Sequence, residues 1–203
     1  MRLKVPLYKQ TTELNCGPTA LKMILSYFGK DIDIKFLEEK TGIKKGKALY
    51  TIQIAIAAAS LGHQADFYSK HILFNEEHLK LDYYKKYSDM DLDLSKKLVE
   101  EAKRLGVNVQ EKKLSLEEIL KFVSENSVPI VLLDWNVVKG EKEKGYQGHF
   151  VPIVGYDKKE IYVHNHGFKN PQKFMPISRD VLDKARKTKG TDEDVVITHR
   201  NPK

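Results

Sequence analysis

At 203 residues the chain is long enough to bury a full hydrophobic core, as one domain or as two lobes sharing a cleft, and its 41% hydrophobic content agrees with that. Charged residues make up 31% and are spread along the sequence, which excludes a long disordered tail, and no apolar run approaches the roughly 20 residues that a membrane-spanning helix needs. The 35 Lys and Arg exceed the 28 Asp and Glu to give +7, but the densest basic run, Lys44-Lys45-Gly46-Lys47, lacks interleaved aromatic residues, so a solvated loop explains it better than a nucleic-acid groove.

Residues 1–7 hold no continuous apolar core of the kind a signal peptide needs, and the expectation is a soluble, cytoplasmic protein. A single Cys cannot close an internal disulfide, so the lone thiol needs another explanation. The first helix is predicted over 18–28, where Leu21, Ile24, Leu25 and Phe28 fall on one face and Gly29 provides a stop. Pro18 fits its first turn, which sets Cys16 and Gly17 at the helix N-terminus. Helices over 34–41 and 51–61 follow, each closed by a glycine, and then a short strand over 64–68.

Two charged helices are predicted over 75–87 and 94–105, separated by the acidic stretch 88–93, and together they look like an insertion or lid. Val107 to Glu111 alternates as a strand, and Ser115 to Glu118 has capping-box spacing ahead of Ile119, Leu120, Phe122 and Val123. From Pro129 the pattern turns to strands, at 129–133, 149–156 and 161–164, with 157–160 as the turn between the last two. A helix over 178–186 and a strand over 194–198 complete the chain. Helices first and strands later predict an α+β fold. Within a single domain over 1–203, a helical lobe spans about 1–70, the helical insertion about 71–105 and an antiparallel-sheet lobe about 106–203.

Cys16 is the centre of the chemical reading. At a helix N-terminus the free N–H groups and the positive end of the dipole favour thiolate over thiol, and the same N–H groups suit an oxyanion. Gln10, six positions earlier, is a second candidate oxyanion donor. A thiolate nucleophile needs a base, and His149, which opens a strand after a charged loop, is the best placed of the seven His. A hairpin turning at 157–160 would set Asn165 opposite His149 as its orienting partner, with Asp157 as the rival. His164 and His166 stand at i and i+2 on a strand and so could share a face as metal ligands, but no cluster of Cys or carboxylates supplies the remaining ligands. Trp135 reads as a core or cleft-wall residue.

Gln10, the run Cys16-Gly17-Pro18-Thr19-Ala20 on a helix, and Gly148-His149-Phe150-Val151-Pro152-Ile153-Val154-Gly155-Tyr156 with Asn165 beyond a hairpin resemble the papain-like cysteine peptidases of the double-glycine leader type, family thirty-nine, in a stand-alone form. The resemblance implies a papain-like fold, with Gln10 as oxyanion donor, Cys16 as nucleophile, His149 as general base and acid, and Asn165 as orienter. Where that family commonly carries Asp followed by Pro, this chain has Asn165-His166, closer to papain's Asn. The function so implied is hydrolysis of peptide or amide bonds through a thioester, on a peptide or protein substrate, with no metal or cofactor and no nucleic acid. An acyl or peptidyl transferase on the same residues, and a peptide-binding module without turnover, are the alternatives.

Overall fold

The computed structural model describes residues 1–201. The chain begins with three helices, α1 (Cys16–Tyr27), α2 (Ile34–Thr41) and α3 (Thr51–Ser60). Asp33 caps α2 through a hydrogen bond from Lys35 N–H, and Gly42, in the left-handed region, ends it. Gly17 is required by packing: a Cβ there would lie 2.5 Å from Leu49 Cδ2 and 3.1 Å from Ile54 Cδ1, so its absence lets α1 sit directly against α3 and the preceding loop.

The segment after β1 (Ala65–Ser69) divides the insertion differently from the periodicity. A 3-10 turn over Glu76–Lys80 breaks at Leu81, which is extended at φ −89 and ψ 130, and only then does α4 (Asp82–Tyr87) begin. Leu81 is both the end of one element and the cap of the next, so one continuous helix over 75–87 does not form. α5 (Leu92–Arg104), capped by Asp91, packs on α3 and buries Val99 and Ala102 in the main core.

β2 (Asn108–Glu111), α6 (Leu116–Lys121), β3 (Ser127–Asp134), the one-turn helix α7 (Trp135–Val138), β4 (Gly148–Tyr156), β5 (Glu160–Asn165), β6 (Gln172–Ser178), α8 (Arg179–Arg186) and β7 (Val195–His199) complete the fold. The Ser115 capping box at α6 forms as its spacing predicts. The strands make one seven-stranded sheet in the order β2-β1-β7-β3-β4-β5-β6, antiparallel except for the parallel β1–β2 pair. The architecture is α+β, as the order of elements predicts. α1 packs on β3 and β4, α3 on β1 and β7, and α8 on β3, β5 and β6. Every residue of β3 is buried, as a central strand with covered faces requires.

β6 has no counterpart among the predicted elements. Its polar residues and Pro176 do not read as a strand, yet at the edge of the sheet a proline costs no ladder bond on the open side. The β4–β5 hairpin also departs from the expected register. Ile153 pairs with Val163 and Gly155 with Tyr162, with a bulge between, so the extended register sets Asn165 beside Val151 and not opposite His149. The bulge has a cause at Gly155, where a Cβ would stand 2.4 Å from the Met1 carbonyl oxygen: the chain's first residues run alongside β4, and Tyr156 N–H donates to that carbonyl at 3.0 Å.

Candidate active site

α1 and β4 meet at Cys16. Its thiol is buried at the first position of α1, where the Asn15 side chain makes no capping bond and instead reaches Thr11 Oγ1 at 2.8 Å and Glu38 Oε1 at 2.6 Å. Burial pushes the Cys16 thiol up from 9.0 to about 11, and backbone hydrogen bonds at Phe150, Gly17 and Cys16 itself oppose the shift without overcoming it. The helix terminus is present, but desolvation outweighs it, so the resting group is a thiol and not the expected thiolate. The contact with the Phe150 backbone puts the sulfur next to the residue that follows His149.

His149 is buried on β4, paired across the ladder with Leu133. Trp135 packs against the His149 ring edge-on at 4.7 Å between centroids, which gives Trp135 the cleft-wall role. Burial holds the imidazole well below the usual histidine range; His166 adds to this, and the Asn165 side chain opposes it. The buried Nε2 has no hydrogen-bond partner. Asn165 can act on His149 because the bulge sets it beside Val151, diagonal to His149 on the same sheet face. Its own amide braces the following turn, donating to Asn170 O at 2.8 Å and accepting from Gly167 N–H at 3.1 Å.

Asp157 stands away from this cluster in the β4–β5 turn. It accepts from Lys159 and Glu160 N–H and from the Tyr162 hydroxyl, which together pull its carboxyl down to about 2. Gln10 is buried, and its amide donates to Thr12 O at 3.1 Å and Glu13 O at 3.4 Å. Both contacts lie within its own loop, so a donor for an oxyanion becomes free only when one of them opens.

Gln10, His149 and Asn165 line one cleft of about 680 Å³, with Trp135, Tyr83 and Phe168 among its walls. Cys16 lines a narrow adjoining pocket of about 20 Å³, and Leu14, Tyr83, Tyr146 and Gly148 border both. Three of the four sequence-derived site residues thus share one cavity and the fourth opens on its neighbour. His164 does not form a metal pair with His166. Its Nε2 faces Val5 O at 2.9 Å and its Nδ1 takes Phe174 N–H at 3.1 Å.

Sequence reasoning missed the aromatic wall. Tyr84 stacks between His78 and Tyr146, with centroids at 4.8 and 5.5 Å, and its hydroxyl donates to Gly190 O at 2.6 Å. Tyr83 meets Tyr146 edge-on at 5.4 Å. The available signal was three tyrosines within residues 83–87 of a segment read as a charged, amphipathic lid. The insertion is accordingly two things. Residues 76–87 wall the cleft and are tied to the sheet side by His78–Asp192 at 3.2 Å and to the helical side by Ala48 N–H donating to Tyr87 O at 2.9 Å. Residues 92–104 form a helix whose buried face, with Val99 and Ala102, joins the core.

This arrangement defines a cysteine-peptidase-like fold. Solved structures agree: a double-glycine-motif protease from an AMS/PCAT transporter, crystallised with a leader peptide, matches at TM-score 0.54 and 18% identity over 98% of this chain and 94% of its own. A C39-like peptidase from Bacillus anthracis matches at 0.59 and 14%, over 98% and 96%. The peptidase domain of Streptococcus ComA, a bifunctional ABC transporter, matches at 0.53 and 15%, over 97% and 99%.

By sequence the chain belongs to the guanylylate cyclase family, whose model matches residues 5–198. A relative in Arabidopsis thaliana named guanylyl cyclase 1 is 26% identical over 208 residues, covering 96% of this chain and 75% of the relative. Among the described residues no helix is long and apolar enough to cross a membrane.

Proposed function

We propose that the protein is a thiol hydrolase of peptide or amide bonds, with Cys16 as nucleophile, His149 as base and acid, Asn165 as orienter and Gln10 as oxyanion donor. The observation that carries this reading is the convergence of the chain's only thiol, at a helix N-terminus and in a pocket bordered by Phe150, with a buried imidazole that has a free nitrogen and lines the adjoining cleft. The resting pair is neutral thiol and neutral imidazole. Attack then moves the Cys16 proton to His149 as the sulfur–carbon bond forms and the carbonyl electrons pass to oxygen. The Cys16 backbone N–H, which has no intrahelical partner at the helix start, would serve that oxygen, and Gln10 joins once a loop carbonyl releases it. Collapse expels the amine, which takes the proton from His149, and water hydrolyses the thioester. An extended peptide as occupant is supported by the leader peptide bound to one protein of the same fold.

A second reading follows the family's name, cyclisation of a guanine nucleotide, and one observation favours it. The cleft combines aromatic faces at Tyr83, Trp135 and Phe168 with Lys86, Lys139, Lys144 and Lys169, a pairing that suits a base and its phosphates. Such chemistry commonly leans on divalent cations. Among the described residues no group of three or more His, Cys, Asp or Glu side chains is placed to hold a metal ion, so the residues present do not fit a built cation site.

One experiment separates the two. The wild type and Cys16→Ala are incubated in parallel with an unstructured peptide library and with GTP, and products are read by mass spectrometry. The hydrolase reading expects cleaved peptides from the wild type alone. Cyclic nucleotide formed equally by both proteins, with the peptides intact, would overturn it.

A further inference from the structure

His166 is fully buried and makes three connections at once. Its Nε2 lies 3.0 Å from the Cys16 carbonyl oxygen, its own carbonyl accepts Gln10 N–H at 2.9 Å, and its ring centroid is 5.0 Å from that of His149. Nδ1 faces another carbonyl, that of His164, at 3.1 Å. A carbonyl only accepts, and a neutral imidazole has one N–H, so one nitrogen holds a hydrogen bond and the other confronts a lone pair. Burial pulls His166 down from 6.5 to about 4, which keeps it in that one-proton state at neutral pH.

We propose that His166 is the positioning residue of this site. With the proton on Nε2, it ties the first carbonyl of α1 to the end of β5, and so fixes the spacing of nucleophile helix, base and oxyanion-side loop. The inference rests on the Cys16–His149 reading above and deepens it. The position is one where the chain departs from the Asp-Pro of the peptidases it resembles. A second imidazole in contact with His149 does more than fill space, since any charge on His149 is felt at His166, and the hydrogen bond to Cys16 holds the two at a set distance. The titratable groups facing His166 are Cys16 on α1, His149 on β4 and His164 on β5.

The test reads the thiol, not turnover. Second-order rates of Cys16 alkylation by iodoacetamide are measured from pH 6 to 10 for the wild type, H166Q, H166L, H149A and H149A/H166L, each checked for folding by circular dichroism and melting. H166L, which fills the space without a donor, is expected to slow neutral-pH alkylation about tenfold, and H166Q, which keeps a donor, to restore most of it. In the H149A background H166L should add little, because its effect passes through the pair. Nitrogen-15 spectra should show His166 protonated at Nε2. A folded H166L with an unchanged profile, an undiminished effect in H149A, or an Nδ1–H tautomer would each overturn the proposal. If H166L fails to fold, H166Q and the tautomer decide. Because alkylation needs no substrate, a protein that cleaves no peptide would sink the hydrolase reading and leave this result standing.

Discussion

His199 and His149 both stand on this sheet, and they differ in what they leave unspent. His199, at the end of β7, holds Asp66 of β1 at 2.7 Å, and Asn108 of β2 donates to the other oxygen of that carboxylate at 3.2 Å. The His199 carbonyl faces His63 Nδ1 at 2.9 Å. Judged by hydrogen bonding alone, this is a better His–carboxylate dyad than His149 with Asn165. Yet its bonds stitch three adjacent strands together, whereas His149 keeps a bare buried Nε2, a thiol nearby and a cleft in front. Saturated polar groups hold a fold; groups with spare capacity beside a cavity are the ones left to react.

The sharpest test of that contrast is removal of the proposed nucleophile. Cys16→Ala should abolish both labelling and turnover while the protein still melts cooperatively, because the pocket at the sulfur is small and only one heavy atom leaves. A collapse of the melting temperature together with activity would make Cys16 a packing residue. Next come the two histidines. His149→Ala should slow Cys16 alkylation at neutral pH by about a hundredfold or more, with modest change in stability. His199→Ala should do the reverse: alkylation unchanged and about 1–3 kcal/mol lost in urea unfolding, since Asp66 is left half-paired in a buried place. Equal effects on alkylation would erase the distinction. In the wild type, with the thiol pushed up to about 11, the alkylation rate should still be climbing above pH 9.

Gly17→Ala tests how closely the nucleophile helix must pack. Contact with Leu49 and Ile54 should cost about 1–3 kcal/mol, measured by urea unfolding. A neutral outcome would mean that α1 shifts freely on α3. Two buried groups should tilt stability with pH in opposite senses. His166 binds its proton less well folded than unfolded, so stability present above pH 6.5 is lost as pH falls toward about 4. Asp194, pushed by burial from 3.8 to about 8, works in the opposite sense: its contribution is full below pH 3.8 and lost as pH rises through about 8. Asp194→Asn should remove the loss between neutrality and about pH 8 and steepen the acid limb of the urea midpoint, because below pH 6.5 the Asp194 and His166 contributions run in opposite senses. The smallest effect separates the two candidate orienters. Asn165→Ala should slow turnover about tenfold, and Asp157→Ala, remote in its turn, should leave the rate unchanged.

The sequence alone determined the elements whose signals are local. The stop at Gly29, the capping box at Ser115 and the apolar stripe of α1 announce helices because a capping side chain or a glycine acts within one turn. The same locality put Cys16 at a helix start and made His149 and Asn165 candidates from strand ends. What only the tertiary structure decided depends on neighbours that are distant in sequence. The bulge at Gly155 lies where the first residues of the chain run alongside β4, and it moves Asn165 from beside Pro152 in the straight register to beside Val151, on the same face as His149. Leu81 broke a helix that periodicity had continued. The helix over 94–105 reads as part of a lid, but its apolar face, with Val99 and Ala102, packs on the main core, because an amphipathic pattern says which face is buried and not against what. Protonation was decided last: the terminus of α1 favours thiolate, but the depth of burial reversed that preference, and burial is a property of the whole fold.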